Sequence, residues 1–428
     1  MNYLEQTKES LLFEYERLKG QYEEYLSRSL SLDLSRGKPD SAQLDFLQQM
    51  LDAPLSRELA VRGGVDYRNY GMLDGTPEMK HFFSELFHIE EKNIFVGGNS
   101  SLQLMYDTLM RCMVFGTVGS PRPWCMEQDR KWICITPGYD RHFWMTEKLG
   151  FKLLSVPMLA QGPDMDAVEQ LVKDPTVKGI WCVPKYSNPT GNTYCDEVVR
   201  RLAAMECAAP DFRIMWDNAY AIHDLDGEGD ELLDIFDECR RVGNENRVFY
   251  FSSTSKVTFP GAGVAMMAMS DENMAQAKPI LSVSTIGYDK LNQLRHVAFL
   301  KNAENTRAHM QSLGKMIGEK FEIALRILDR DLSDTGVAQY TRPRGGYFIS
   351  LDVLPGTAKR VYDMMKRAGV TLTGVGATFP YGIDPEDKNL RLAPTYPCKE
   401  DLALSCEVLT VVIRLAALEY ILNIKTEI

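Results

Sequence analysis

Short apolar runs rich in β-branched and aromatic residues recur through the chain, at residues 93–96, 131–136, 151–156, 179–183, 212–216, 248–252 and 264–269. Most of them lack the strict alternation of a half-exposed strand, so they read as strands buried on both faces. Between most of them lie helical patterns, at 101–114, 140–149, 196–207 and 231–242. Strand-helix alternation of this kind predicts an α/β domain with a mostly parallel, seven-stranded sheet under helices. The pattern changes near residue 291 to one long helical stretch reaching 328, then a strand at 347–352 and helices at 357–367 and 400–422. A second, smaller α+β domain is expected there. The helical pattern at 3–26 has no strand nearby to cover, so it is expected to pack with the C-terminal part. The smaller domain is then discontinuous, residues 1–60 and 300–428, around a large domain at 61–299.

Composition narrows the class. A chain of 428 residues with 45% hydrophobic and 25% charged content can bury sizeable cores, and it matches neither disordered nor fibrous proteins. The longest uncharged stretches, 257–270 and 368–383, are broken by Gly and Pro and are too short to span a bilayer. Forty-eight basic against 59 acidic residues give a net charge of −11, which opposes attraction to nucleic acid or anionic lipid. A local Arg cluster can still bind a small acid, because contact geometry decides there. Nine cysteines without a CxxC pair suggest reduced thiols, and the opening Met-Asn-Tyr-Leu-Glu lacks a basic-then-apolar leader. A cytoplasmic location is the expectation.

In open α/β sheets ligands bind at the carboxyl ends of the strands, so the residues that follow each run are the first candidates. Gly97-Gly98-Asn99-Ser100-Ser101 precedes a helix and offers backbone N–H groups and hydroxyls to a phosphate, although such turns also serve simply as helix caps. Tyr139 follows the second run, where it could stack on a flat heterocycle or merely pack. Asn188 sits in Tyr186-Ser187-Asn188-Pro189-Thr190-Gly191 after the fourth. Asp217 ends the fifth and needs a cation or a strong donor, with the Tyr220 phenol three residues on. Lys256 closes Ser252-Ser253-Thr254-Ser255-Lys256, bracketed by apolar residues that desolvate its amine and make it a candidate Schiff-base nucleophile. An amine, a carboxylate for a ring nitrogen, Asn and Tyr for a phenolic oxygen, a stacking ring and a phosphate cup are the groups that pyridoxal 5'-phosphate needs.

The chain resembles the fold-type I aminotransferases over nearly its whole length. Five segments carry the resemblance in the family's order: Ser187-Asn188-Pro189-Thr190-Gly191, Asp217-Asn218-Ala219-Tyr220, Ser253-Thr254-Ser255-Lys256, Gly345-Gly346-Tyr347-Phe348 and Asn389-Leu390-Arg391-Leu392. Ser35-Arg36-Gly37-Lys38-Pro39 and Asp66-Tyr67-Arg68-Asn69-Tyr70-Gly71 look most like the type Ic aspartate aminotransferases. The resemblance implies a transaminase in which Lys256 bonds the cofactor covalently and later acts as general base. Asp217 then pairs with the ring nitrogen, Asn188 and Tyr220 hold the ring oxygen, and Tyr139 stacks on the ring. Gly98, Asn99, Ser100, Ser101 and Ser253 hold the phosphate. Arg391, with Gly37 and Asn188 beside it, takes the substrate α-carboxylate, and Tyr70 reaches the phosphate of a neighbouring subunit in a homodimer with shared active sites.

One departure stands out. The family usually places an Arg shortly after the Schiff-base Lys to neutralise the phosphate, whereas Pro260-Gly261-Ala262-Gly263-Val264 carries no base. Arg68, beside Tyr70, is the expected substitute from across the dimer. The branch resemblance makes aspartate or glutamate the expected donor and a 2-oxo acid the acceptor. The distal acid group then needs a cation from among Arg36, Arg122, Arg141 and Arg344. A lyase or decarboxylase on the same scaffold and a non-catalytic aminotransferase-like sensor are the alternatives. A nicotinamide dehydrogenase fails, because Gly261-Ala262-Gly263-Val264-Ala265-Met266 runs on into an apolar strand instead of a helix.

Overall fold

The computed structural model describes residues 2–52, 56–225 and 227–424. Its centre is an eight-stranded sheet: β1 (Ile94–Val96), β2 (Lys131–Thr136), β3 (Lys152–Leu159), β4 (Gly162–Pro163), β5 (Val177–Cys182), β6 (Arg213–Asp217), β7 (Val248–Ser253) and β8 (Ala265–Ala268). The spatial order is β1-β8-β7-β6-β5-β2-β3-β4. The run β7-β6-β5-β2-β3 is parallel, while β8 is antiparallel to both β7 and β1. Seven of these strands lie on the seven apolar runs. The eighth, β4, is a two-residue antiparallel extension of β3 at the sheet's edge, too short to leave a hydrophobic pattern.

Side chains of each central strand point alternately to two separate cores, which is why the runs read as continuously apolar. Ile133, Ile180, Ile214 and Val248 enter one, and Trp132, Trp181, Met215 and Phe249 the other. Helix α1 (Lys8–Ser27) is N-capped by the Thr7 side chain. Helices α2 (Ser101–Phe115) and α3 (Asp140–Lys148) follow β1 and β2 and cover the tryptophan-rich face through Leu104, Leu109 and Phe143.

The C-terminal part holds α4 (Ala303–Leu332), α5 (Lys399–Leu422) and an antiparallel sheet of β9 (Ala338–Tyr340), β10 (Ile349–Val353) and β11 (Asn389–Leu392). The N-terminal helix does pack here. Leu11, Tyr15 and Leu18 of α1 join the core built by Ile317–Leu332 and α5, the Tyr22 hydroxyl donates to the carbonyl of Met364 at 2.8 Å, and Arg414 binds Tyr3 and Glu14. The single helix expected at 291–328 is two, Lys290–Leu300 and α4, broken where Lys301 takes φ 66° and Asn302 caps the new helix. A lysine in that backbone region gives no Gly or Pro signal, so the break was silent in the sequence.

Candidate active site

The carboxyl ends of β2, β5, β6 and β7, the N-terminus of α2 and strand β11 converge on a cavity of about 430 Å3. Asp217 is the last residue of β6 and Ser253 the last of β7, and Lys256 follows in the next turn, so strand geometry brings the acid and the amine to one wall. The Lys256 Nζ lies 5.0 Å from the centre of the Tyr220 ring and 5.8 Å from that of Tyr347. Burial pushes this amine below the ordinary lysine value of 10.5, against the pull of Asp217, which favours the cation. Larger hollows lie elsewhere, at about 980 Å3 and 660 Å3, but neither contains Lys256 or Asp217.

Asp217 is the other decisive group. It is 3% exposed, its Oδ2 meets His142 Nε2 at 3.0 Å, and its Oδ1 is buried without a partner among the described residues. An unmet buried acceptor costs about 1–3 kcal/mol, so the arrangement fits a ligand that brings a proton-bearing nitrogen. The His142 ring is itself stacked on Trp181, centroids 4.1 Å apart and planes 9° from parallel, which fixes the direction of the Asp217 carboxylate. His142 escaped the sequence reading because it lies in the first turn of α3, six residues beyond β2, and its partner Asp217 is 75 positions away. It is one of just six histidines in the chain and directly precedes Phe143-Trp144-Met145.

Ser100 is the N-cap residue of α2 yet makes no side-chain cap hydrogen bond, unlike Thr7 at α1 and Asn302 at α4. Its hydroxyl and the helix's first N–H groups are thus available to an anion, with Asn99, Ser101, Ser253 and Ser255 lining the same end of the cavity. The Ser253 and Ser255 hydroxyls bond each other at 3.0 Å, and Ser255 also donates to the Asn99 carbonyl at 3.1 Å. Gly98 does not line the cavity; its carbonyl accepts from Ala265 N–H at 2.7 Å and ties the cup to β8. The turn Pro260–Ala262 borders the site without a base. These donor groups suit pyridoxal phosphate: a phosphate at Ser100, Ser101 and Ser253, a ring nitrogen at Asp217, an aldehyde carbon within reach of Lys256.

Tyr139, Asn188 and Tyr220 line the same cavity. Burial, with the nearby Asp217 carboxylate as a smaller cause, holds the Tyr220 phenol well above its usual range, so it stays a donor. His223, also missed, is buried edge-on to Tyr220 and Tyr347 and pushed down to about 3, chiefly by burial, so it adds no competing cation. Arg391 reaches in from β11, its neighbours Leu390 and Leu392 turned into the small-domain core. Its guanidinium rests on the Phe348 ring at 5.0 Å, and Phe348 in turn fills the space where a Cβ on Gly37 would lie, 2.1 Å from its Cζ. Only glycine at 37 lets Phe348 carry Arg391. Of the four arginines considered for a distal acid group, Arg141 alone lines the cavity. Arg36, Arg122 and Arg344 pair instead with Asp33, Glu127 and Asp230 at 3.0, 3.0 and 3.1 Å. Arg68 and Tyr70 lie outside the cavity of their own chain: Arg68 pairs with Asp66 at 2.5 Å, and Tyr70 is 85% exposed.

Comparison with known proteins agrees with this geometry. A model of the family described as aspartate amino-transferase matches residues 7–425. An aspartate aminotransferase of Corynebacterium glutamicum is 47% identical over 96% of this chain and 95% of its own. The crystal structure of an aspartate transaminase from that organism superposes with a TM-score of 0.95 at 45% identity, covering 98% and 99% of the two chains. An alpha-aminoadipate aminotransferase from Thermus thermophilus, solved with N-(5'-phosphopyridoxyl)-L-leucine, shares the fold at 22% identity with a TM-score of 0.73, over 94% of this chain and 95% of that one. Fold and cavity together are those of the pyridoxal-phosphate-dependent aminotransferases of fold type I. The chain belongs to the aspartate amino-transferase family.

The depressed Lys256 pKa has a consequence for the apoprotein. A buried amine that prefers to be neutral binds fewer protons folded than unfolded, so stability rises with pH between its folded value and 10.5. K256M apoprotein should therefore be more stable than wild type near neutral pH, with the difference shrinking as pH climbs toward 10.5, as read by urea denaturation at a series of pH values. An unchanging difference would mean that the amine is solvated.

Proposed function

We propose that the protein is an aspartate aminotransferase, moving an amino group from aspartate or glutamate to a 2-oxo acid. The observation that carries this reading is the desolvated Lys256 amine sharing one cavity with the unpartnered Oδ1 of Asp217. The bound cofactor supplies an aldehyde carbon for amine exchange and a ring that accepts electrons. Lys256 would then be free, as a neutral amine, to take the proton from the substrate Cα. Asp217, aimed by His142, would keep the ring nitrogen protonated and so stabilise charge where it develops. Tyr220 and Asn188 would hold the ring oxygen, Tyr139 would flank the ring, and Ser100, Ser101 and Ser253 would bind the phosphate.

At the substrate end, Arg391 would grip the α-carboxylate through a planar fork suited to two oxygens. Arg141 is the cation we assign to the distal carboxylate. It is exposed in the cavity wall, held over the Trp144 ring at 5.2 Å, and pairs with no carboxylate among the described residues. We further assign the active unit to a cytoplasmic homodimer in which Arg68 and Tyr70 approach the partner's phosphate. Three features support this: the baseless turn after Lys256, the hairpin of Val61–Arg62 and Val65–Asp66 that leads to Arg68, and the weakness of an exposed ion pair, which lets Arg68 exchange Asp66 for a phosphate. Nine free cysteines accord with a reducing compartment.

Mixing the holoenzyme with single amino acids and following its absorbance tests the reading. Aspartate and glutamate should convert the aldehyde-form band to that of the amine form, and K256A should show neither the band nor the conversion. A protein that no amino acid converts is not a transaminase. R141A should raise the KM for aspartate at least tenfold while leaving that for alanine within about twofold, the loss expected for one charge-assisted hydrogen-bonding group; equal effects on both substrates would dismiss Arg141 from the distal site. R68A should weaken pyridoxal phosphate binding about tenfold, as loss of one charge-assisted contact does, and unchanged affinity would remove Arg68 from the phosphate.

A further inference from the structure

Arg391 already has a carboxylate partner within the protein. Its Nη1 donates to Asp140 Oδ1 at 3.1 Å and reaches Asn188 Oδ1 at 3.4 Å, both on the large domain, while Arg391 belongs to β11 of the other. The pair is largely desolvated, with side-chain exposures of 9% for Arg391 and 13% for Asp140. Phe348 closes one face of the guanidinium, and Nε is buried with no partner among the described residues. Nη1 is therefore taken and Nε is sealed off, which leaves Nη2 as the accessible guanidinium nitrogen without a partner among the described residues. Asp140 is the first residue of α3, where a helix N-terminus favours a carboxylate. The four residues Tyr139-Asp140-Arg141-His142 thus bring to the site a ring wall, a counterion, a free cation and the group that aims Asp217.

We infer that Asp140 is a positioning residue for the α-carboxylate clamp and sets how tightly that clamp holds. The inference rests on the reading of Arg391 as the α-carboxylate site and of the substrate as a dicarboxylate. Two effects follow from the geometry. By occupying Nη1, Asp140 fixes the rotation of the guanidinium and so the direction in which Nη2 is presented to an incoming carboxylate. By remaining beside Arg391 as a resident anion, it spares a buried cation from standing unpaired between turnovers, and it repels the incoming carboxylate across the same guanidinium. Asp140 thereby trades ground-state affinity for release of the product acid. Nothing in the sequence marked it, since its partner lies 251 positions away.

Charge and position can be separated with two variants and one probe. Succinate, which has aspartate's carbon skeleton without the amine, is titrated calorimetrically into holoenzyme. Asp140→Asn keeps an oxygen acceptor for Nη1 and removes the charge, so succinate should bind about tenfold tighter than to wild type, the scale of one partly screened like-charge contact. Asp140→Ala removes the acceptor too, and should bind succinate at least tenfold more weakly than Asp140→Asn does, the scale of one charge-assisted hydrogen bond. The KM for the amino donor should follow the same order. A merely structural role would weaken binding in both variants, and a pure charge effect would tighten it equally in both; either result overturns the inference, as does wild-type affinity in Asp140→Asn. Wild-type holoenzyme that binds no succinate would overturn the dicarboxylate reading along with the inference, whereas normal wild-type binding without the predicted order overturns the inference alone.

Discussion

The chemistry depends on keeping one lysine amine out of water while a buried carboxylate nearby lacks a full set of partners. Each condition is unfavourable in isolation. Burial pushes the Lys256 amine toward its neutral form, which makes it nucleophilic, and among the described residues one oxygen of Asp217 has no donor. The surrounding structure tolerates both because the sheet is rigid at this point: Asp217 ends a strand flanked by parallel neighbours on each side, and Lys256 follows the next strand by three residues. The same sheet that creates the strain also fixes its geometry.

Around this pair the protein uses stacked aromatic planes to aim polar groups. Trp181 orients His142, His142 aims Asp217, and Phe348 supports Arg391 where Gly37 leaves room for it. Flat rings have few rotamers, so each holds its neighbour at small entropic cost. The eight-stranded sheet's side of the cavity and the C-terminal three-stranded sheet meet through Arg391, Asp140 and Asn188, so the proposed substrate end draws on both. In the proposed site Arg391 and Arg141 serve the substrate, while the phosphate end draws from its own chain only hydroxyls and a helix N-terminus, with Arg68 proposed to come from the partner.

Much of this was legible in the sequence, and the reasons are physical. Strands buried on two faces must be apolar throughout, so 131–136 and 248–253 announced themselves to within a residue. Residues directly after such strands lie at the sheet's carboxyl edge, which made Asp217 and Lys256 visible. What stayed hidden depends on contacts between distant segments. Asp140 acts through Arg391, 251 positions away, and His142 acts through Asp217, 75 positions away, so no local pattern points to them. Arg141 could not be told from Arg36, Arg122 and Arg344 until folding showed which of them borders the cavity. The break at Lys301 was silent because a lysine occupies a backbone conformation that glycine usually signals.

Borohydride reduction of the holoenzyme, followed by proteolysis and mass spectrometry, is the most direct test, because it freezes the covalent link between cofactor and protein. A phosphopyridoxyl group on Lys256 alone is the predicted result. The group on any other lysine, or on none, would contradict the account.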